Sequence, residues 1–295
     1  MKKFNIKKGI AVFTVITALT AGLAGCGSNA NTAETAQTAA TTETTETQET
    51  EETKVLKVAA TSVPHAEILE EAKSLLEQEG YTLEITEFQD YVQPNNVVED
   101  GDYIANYFQH APYLDDFNAE NGTHLVAAAI IHYEPFGIYP GVSDSLEDIE
   151  DGAKIAVPND TTNEARALLL LQDNGIITLK EGAGLSATIN DIEENPHNVE
   201  LVELEAAQVP RVVGEVDFVV LNGNYALEAG FNVANDAIAA ETADSEAAQT
   251  YANIICVREG NENNAAVQAL INVLQGDHIK QFIEEKYEGA VVPIS

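Results

Sequence analysis

An α/β fold is what this sequence predicts from residue 54 onward, and three observations predict it. Strand-like and helix-like segments alternate from Lys54 to the last residues, the pattern of βαβ units with mainly parallel sheets and right-handed crossovers. Hydrophobic residues make up 45% of the 295, enough to bury a core. Two cysteines are too few for a disulfide scaffold to take the place of that core.

The chain opens on an address. Lys2, Lys3, Lys7 and Lys8 precede an uncharged apolar run from Ile10 to Ala24. That run is shorter than the ~20 residues a membrane span needs, so residues 1–25 read as an export signal. Its end, Leu23-Ala24-Gly25-Cys26, resembles the bacterial lipobox, which implies a lipidated Cys26 as the new N-terminus. Residues 26–53 are almost all Thr, Ala, Glu, Gln and Asn, with no large apolar side chain, and read as a disordered tether.

The folded part follows. Lys54–Ala60 has strand composition, and Ile68, Ala72, Leu75 and Leu76 are spaced for a helix that Gly80 would stop. Tyr81–Phe88 alternates like a strand. A helix near 110–121, strands over 124–131 and 154–157, and a helix over 162–174 come next. Strands are expected over 199–204, 216–221 and 251–257, and a helix over 263–286 with a break near Gly276. One large sheet or two lobes would fit. Tyr133–Gly141 and Asp244–Tyr251 are candidate crossings if there are two.

Charge excludes whole partner classes. The formal net charge is −35, and loss of the four signal lysines makes it −39, which disfavours nucleic acid. With Cys26 lipidated, Cys256 is left alone in the apolar run Ile254-Ile255-Cys256-Val257 and reads as a small buried hydrophobe. The chain contains no nucleophile elbow, P-loop, dinucleotide-binding glycine motif or zincin motif, so no enzyme is indicated and no cofactor is expected. The six histidines include no close pair with metal-ligand spacing.

The most informative stretch is Pro158–Leu168, where a strand ends and a helix begins. Thr161 with Glu164 fits a capping box, and Asp160 is the alternative cap. Asn163 and Arg166 share a face of the first turns. A helix start with an arginine suits a carboxylate, and a structural pair with one of the 49 acidic residues suits it equally. Tyr91–Asn95 and Tyr107–Leu114 combine aromatic and polar groups, as a pocket wall or as core. Asn222-Gly223-Asn224-Tyr225 follows a strand, and Asn253 lies inside one, where asparagine is disfavoured without a polar partner or a ligand.

DYVQPN, NYFQHAPYLDDF, IAVPNDTTNEARALLLLQDNGII, DIEENPHNVELVELEAAQVPR, LNGNYALEAG and YANII occur in that order across residues 54–295. Together they resemble the NlpA/MetQ family of methionine-binding lipoproteins of ABC importers. The resemblance implies a two-lobed periplasmic-binding-protein fold, its lobes joined by two crossing strands. Lobe 1 would be residues 54–135 with 250–295 returning to it, and lobe 2 residues 136–249. It also implies a ligand set of Tyr91, Phe108, His110, Asn163, Arg166, Asn222 and Asn253. Arg166 and Asn163 would take the carboxylate of methionine or a related dipeptide, and Asn222 and Asn253 the other backbone polar groups. Tyr91, Phe108 and His110 would line the side-chain pocket.

The expected protein is a monomer, anchored through Cys26 on the extracytoplasmic side of the cell membrane, that hands its ligand to an ABC permease and ATPase. A metal-binding lipoprotein, or a surface lipoprotein outside transport, is the alternative. Two stretches depart from the family's commoner pattern: AATSVPHAEI lacks a glycine-rich turn before Pro64-His65, and YEPFGIYPG replaces a Tyr-Ser-Lys ending.

Overall fold

The computed structural model describes residues 54–242 and 249–294. The signal segment, Cys26, the tether and residues 243–248 of the expected return crossing lie outside the described residues.

The chain begins with β1 (Lys54–Ala60), a kinked helical turn over Ser62–Ala66, α1 (Glu67–Gln78) and β2 (Tyr81–Glu87). It continues through α2 (Gln93–Glu99), β3 (Ala105–His110), α3 (Ala111–Asn121) and β4 (Leu125–Tyr133). Next come β5 (Gly137–Pro140), β6 (Lys154–Pro158) and α4 (Thr161–Asp173). A two-stranded ribbon joins β7 (Thr178–Leu179) to β8 (Ile192–Glu194). Then follow β9 (Glu200–Leu204), a 3-10 stretch over Ala206–Val212, β10 (Phe218–Leu221), α5 (Gly223–Glu228), α6 (Val233–Asp236) and β11 (Ala239–Ala240). The last elements are β12 (Asn253–Arg258), α7 (Ala265–Leu274), α8 (Asp277–Tyr287) and β13 (Val292–Pro293).

Two main sheets result. The first has the order β13-β4-β12-β3-β1-β2, the second β11-β5-β10-β6-β9. Both are buried on two faces, which the strand residues record by alternation. Ile255 and Val257 face the core built with α1, α7 and α8, whereas Ile254 and Cys256 face Val98 of α2 and Leu114 of α3. In β10, Phe218 and Val220 pack under α4, and Val219 and Leu221 pack on the opposite side with Val209 and Ala226. Such strands read as continuous apolar runs because neither face meets water. Cys256 is a free, fully buried thiol, as expected of a small hydrophobe.

The expected α/β class and two-lobed architecture are found. The expectation of mainly parallel sheets is not. Four of the nine pairings in the two main sheets are parallel, those of β1 with β2 and β3 and of β6 with β9 and β10. The others are antiparallel because the chain passes between the sheets twice in opposite directions. Outgoing β4 lies beside incoming β12, and incoming β5 beside outgoing β11. Tyr133–Gly141 is therefore more than a connection, since its second half is β5.

The long C-terminal helix divides where the sequence suggested. Gly276 adopts an extended conformation and caps α8. Among the described residues, no helix is long and apolar enough to cross a membrane.

Candidate ligand-binding site

The strand-to-helix junctions converge on one place. β3 ends at His110, which is also the cap of α3: its Nδ1 accepts from the Tyr113 N–H at 3.2 Å. β6 ends before Asp160, which caps α4 by accepting from the Asn163 N–H at 3.1 Å and from Asn163 Nδ2 at 2.8 Å. The capping box of Thr161 with Glu164 does not form, because the Glu164 carboxylate accepts from the Ile189 N–H at 3.0 Å instead. β10 ends just before Asn222, the cap position of α5, and β12 begins at Asn253, which pairs with His110 on one side and His132 on the other.

A narrow cavity of about 20 Å³ lies where these ends meet. Tyr91, Phe108, His110, Asn163, Arg166, Asn222 and Asn253 all line it. Glu134, Gly223, Asn224, Gln109 and Tyr113 complete the wall. Its own side chains nearly fill it, so it is far smaller than the ~300 to ~1,000 Å³ of an open ligand pocket.

Polar contacts tie the two sheets together across the cavity. Asn163 Oδ1 accepts from Asn222 Nδ2 at 2.8 Å and from His110 Nε2 at 3.1 Å. The Tyr91 hydroxyl donates to Asn224 Oδ1, and the Tyr91 ring stacks on Tyr225 with centroids 4.9 Å apart. Tyr91 also lies 5.5 Å from the Phe108 ring, which gives the cavity one aromatic side. Two buried amide atoms have no partner among the described residues: the acceptor Asn222 Oδ1 and the donor Asn224 Nδ2. Burying such atoms unpaired costs about 1–3 kcal/mol each, so a ligand that pairs with them is stabilised.

Arg166 is 4% exposed and already has a carboxylate. Its Nε donates to Glu241 Oε1 at 2.8 Å, and its Nη2 donates to Glu241 Oε2 and to the Glu134 carbonyl oxygen. Tyr251 and Phe136 sandwich the guanidinium at 4.3 and 4.7 Å. Burial opposes both charges of this pair. Arg166 nevertheless holds the Glu241 carboxyl below its ordinary range, and Glu241 raises the Arg166 guanidinium. Arg166 thus forms the structural pair, and it also lines the cavity.

Sequence reasoning did not find Glu241, Asn224 or Glu134. Asn224 and Glu134 lie in segments it had flagged, the Asn-Gly-Asn-Tyr turn and the Tyr133–Gly141 crossing, whereas Glu241 lies three residues before the expected return crossing. Glu134 lies in the passage between β4 and β5. Its Oε1 is 2.7 Å from His132 Nε2 and 3.3 Å from His65 Nε2. His65, which was left outside the ligand set, does not line the cavity. It stands behind it, with Nε2 3.0 Å from Asn253 Oδ1 and Nδ1 2.7 Å from the Thr61 hydroxyl. This is the polar partner that an asparagine in a strand called for. The fold also makes the histidine cluster that spacing did not show: His65, His132 and Glu134 offer ligand atoms within 4.8 Å of one another.

Fold and cavity together define the class: a two-lobed α/β protein with a buried, charged and amide-lined cavity where its two sheets meet. The chain belongs to the NlpA lipoprotein family, whose model matches residues 56–295. It is 43% identical over 242 residues to the methionine-binding lipoprotein MetQ of Bacillus subtilis, covering 81% of this chain and 87% of that protein. Among solved structures, a putative lipoprotein from Ruminococcus gnavus is 69% identical with a TM-score of 0.82, covering 82% of this chain and all (100%) of that one. A nutrient binding protein from Burkholderia cenocepacia, solved bound to methionine, is 42% identical with a TM-score of 0.77, covering 81% of this chain and 100% of its own.

Proposed function

We propose that this protein captures methionine, or a close relative such as a methionine-containing dipeptide, between its lobes and delivers it to an ABC permease. The observation that carries the reading is the cavity wall itself, which sets a guanidinium, a carboxylate and two orphaned amide atoms beside an aromatic side. That is a complement for a zwitterion with an apolar side chain. Arg166 serves the ligand carboxylate, with Asn163 bridging to Asn222 beside it. Asn222 and Asn253 serve the remaining backbone polar groups. Tyr91, Phe108 and His110 surround the thioether, where sulfur–aromatic contact is favourable. The methionine named in the Burkholderia cenocepacia structure supports the same ligand.

Lobe 1 comprises residues 54–135 and 250–295, and lobe 2 residues 136–249. Ligand bridging the two favours the closed form over the open one. The work is binding, with no bond made or broken. Lipidated Cys26 holds the monomer to the outer face of the cell membrane, and the tether lets the lobes reach the permease.

Calorimetry with L-methionine, D-methionine and a methionine dipeptide, together with native mass spectrometry of freshly purified protein, tests the reading. One ligand per chain is expected. No heat with any of the three and no retained amino acid would overturn it, and stoichiometric metal in elemental analysis would favour the metal-binding alternative.

A further inference from the structure

Among the described residues, Glu134 is the one carboxylate on the cavity wall, and its side chain forms no ion pair with a lysine or arginine, Arg166 acting on it only from a distance. Arg166 is taken by Glu241, and its contact with Glu134 is to the backbone carbonyl, not the side chain. The groups that touch the Glu134 carboxylate are two imidazoles and the backbone N–H of Asn224. Burial holds both imidazoles neutral at physiological pH, His65 lowered to about 4 and His132 to about 3.

The hydrogen inventory fixes their roles. A carboxylate only accepts, so both Nε2 atoms carry hydrogen. Each Nδ1 then accepts from a hydroxyl, Thr61 for His65 and Tyr107 for His132. Every nitrogen of the pair is used: His132 Nε2–H donates to Glu134 Oε1 at 2.7 Å, His65 Nε2–H is shared between Asn253 Oδ1 at 3.0 Å and Glu134 Oε1 at 3.3 Å, and both donors are neutral.

Room for that carboxylate has been made on the other side. A Cβ on Gly223 would lie 2.6 Å from Glu134 Cβ and 2.8 Å from its Oε2. The glycine lets the carboxylate reach the backbone of Asn222–Asn224, where the orphaned acceptor Asn222 Oδ1 also lies. A buried carboxylate and an unpaired amide oxygen on one wall are both acceptors, and a primary ammonium has three hydrogens to give.

We propose that Glu134 is the counter-charge for the ammonium group of the ligand, with His65 and His132 as its positioning residues. The proposal rests on the reading of the cavity as an amino-acid site, and it makes the free amine a requirement for binding. The same three side chains are close enough to hold a divalent cation. The ammonium is favoured because Glu134 reaches the cavity whereas both imidazoles stand behind it, with all four ring nitrogens already engaged.

Affinities for methionine and for its deamino analogue, 4-(methylthio)butanoate, test it in the wild type and in Glu134→Gln. Wild type is expected to prefer methionine by roughly 100-fold. Glu134→Gln is expected to weaken methionine by at least about tenfold and the analogue by less than about threefold, so that the preference collapses. His132→Leu should lower the same preference, and His132→Gln, which keeps a donor, should retain most of it. A merely structural role would weaken both ligands alike, and that result, or equal wild-type affinity for the two, would overturn the proposal. The wild-type comparison decides even where Glu134→Gln does not fold. Zinc added alone that binds wild type and not His132→Leu would overturn it in favour of a metal. If wild type binds neither methionine nor the analogue, the amino-acid reading itself has failed.

Discussion

Replacing Arg166 with alanine removes one side chain from two jobs, and the structure predicts the size of each. In the free protein it leaves Glu241 buried without its partner and strips a cation from between Tyr251 and Phe136. Breaking a buried ion pair by deleting one member costs about 3–5 kcal/mol. For a folded part of this size each kcal/mol is worth about 2–4 °C, so the ligand-free melting temperature should fall by roughly 6–20 °C. In the complex the variant also loses charge-assisted bonds to a ligand carboxylate, about 1.5–3 kcal/mol, or about 10–100-fold in Kd. Differential scanning fluorimetry reads the first quantity and calorimetry with methionine at low temperature reads the second. The double variant Arg166→Ala with Glu241→Ala separates them, since removing the stranded carboxylate restores part of the stability and none of the affinity. If Arg166→Ala melts early yet binds methionine within about twofold of wild type, the arginine is only a brace and the carboxylate assignment is wrong.

Two other expectations follow from named groups. His65, His110 and His132 are lowered by burial to about 4, 3 and 3 from an ordinary 6.5. Because they are neutral in the folded state and take up protons when unfolded, their stabilisation is complete above pH 6.5 and is lost as pH falls toward 3–4. At pH 5 each withdraws about 2 kcal/mol. Glu134, Asp160 and Glu164, raised by burial, oppose this, whereas Glu99, Asp191 and Glu241, which are lowered, lose stabilisation in the same direction as the imidazoles. The ligand-free melting temperature should therefore drop between pH 7.5 and pH 5, and a flat or rising profile would refute the assignment of three neutral imidazoles. Gly223→Ala should displace Glu134 and weaken methionine by at least about tenfold, since the new Cβ would lie 2.8 Å from its Oε2; unchanged affinity would show that the carboxylate has other room.

What could be read in advance followed physical visibility. The start of α4 was legible because a capping side chain, a helical stripe and a scarce arginine coincide. Asn253 was legible because an amide inside a strand breaks the apolar pattern, although its partner, His65, lies far off in sequence and was invisible. β3 escaped notice because all six of its residues are buried, so no alternation marks it. β5 escaped because it is four residues long and ends in proline. Glu134 and Glu241 were hidden by number, two acids among 49 with nothing local to set them apart. Their importance comes from burial and from partners brought by other strands.

The place of β12 has a consequence for how the molecule is assembled. It lies between β3 and β4, in the middle of the first sheet, yet it is supplied by residues 253–258. During synthesis β3 and β4 leave the ribosome with an unfilled slot between them, and the whole second sheet is made before the strand that fills it. The half begun first is the half finished last. Contacts of such long reach are slow to form. A chain cut short before residue 253 would therefore lack the central strand of its first sheet, along with one wall of the cavity that Asn253 lines.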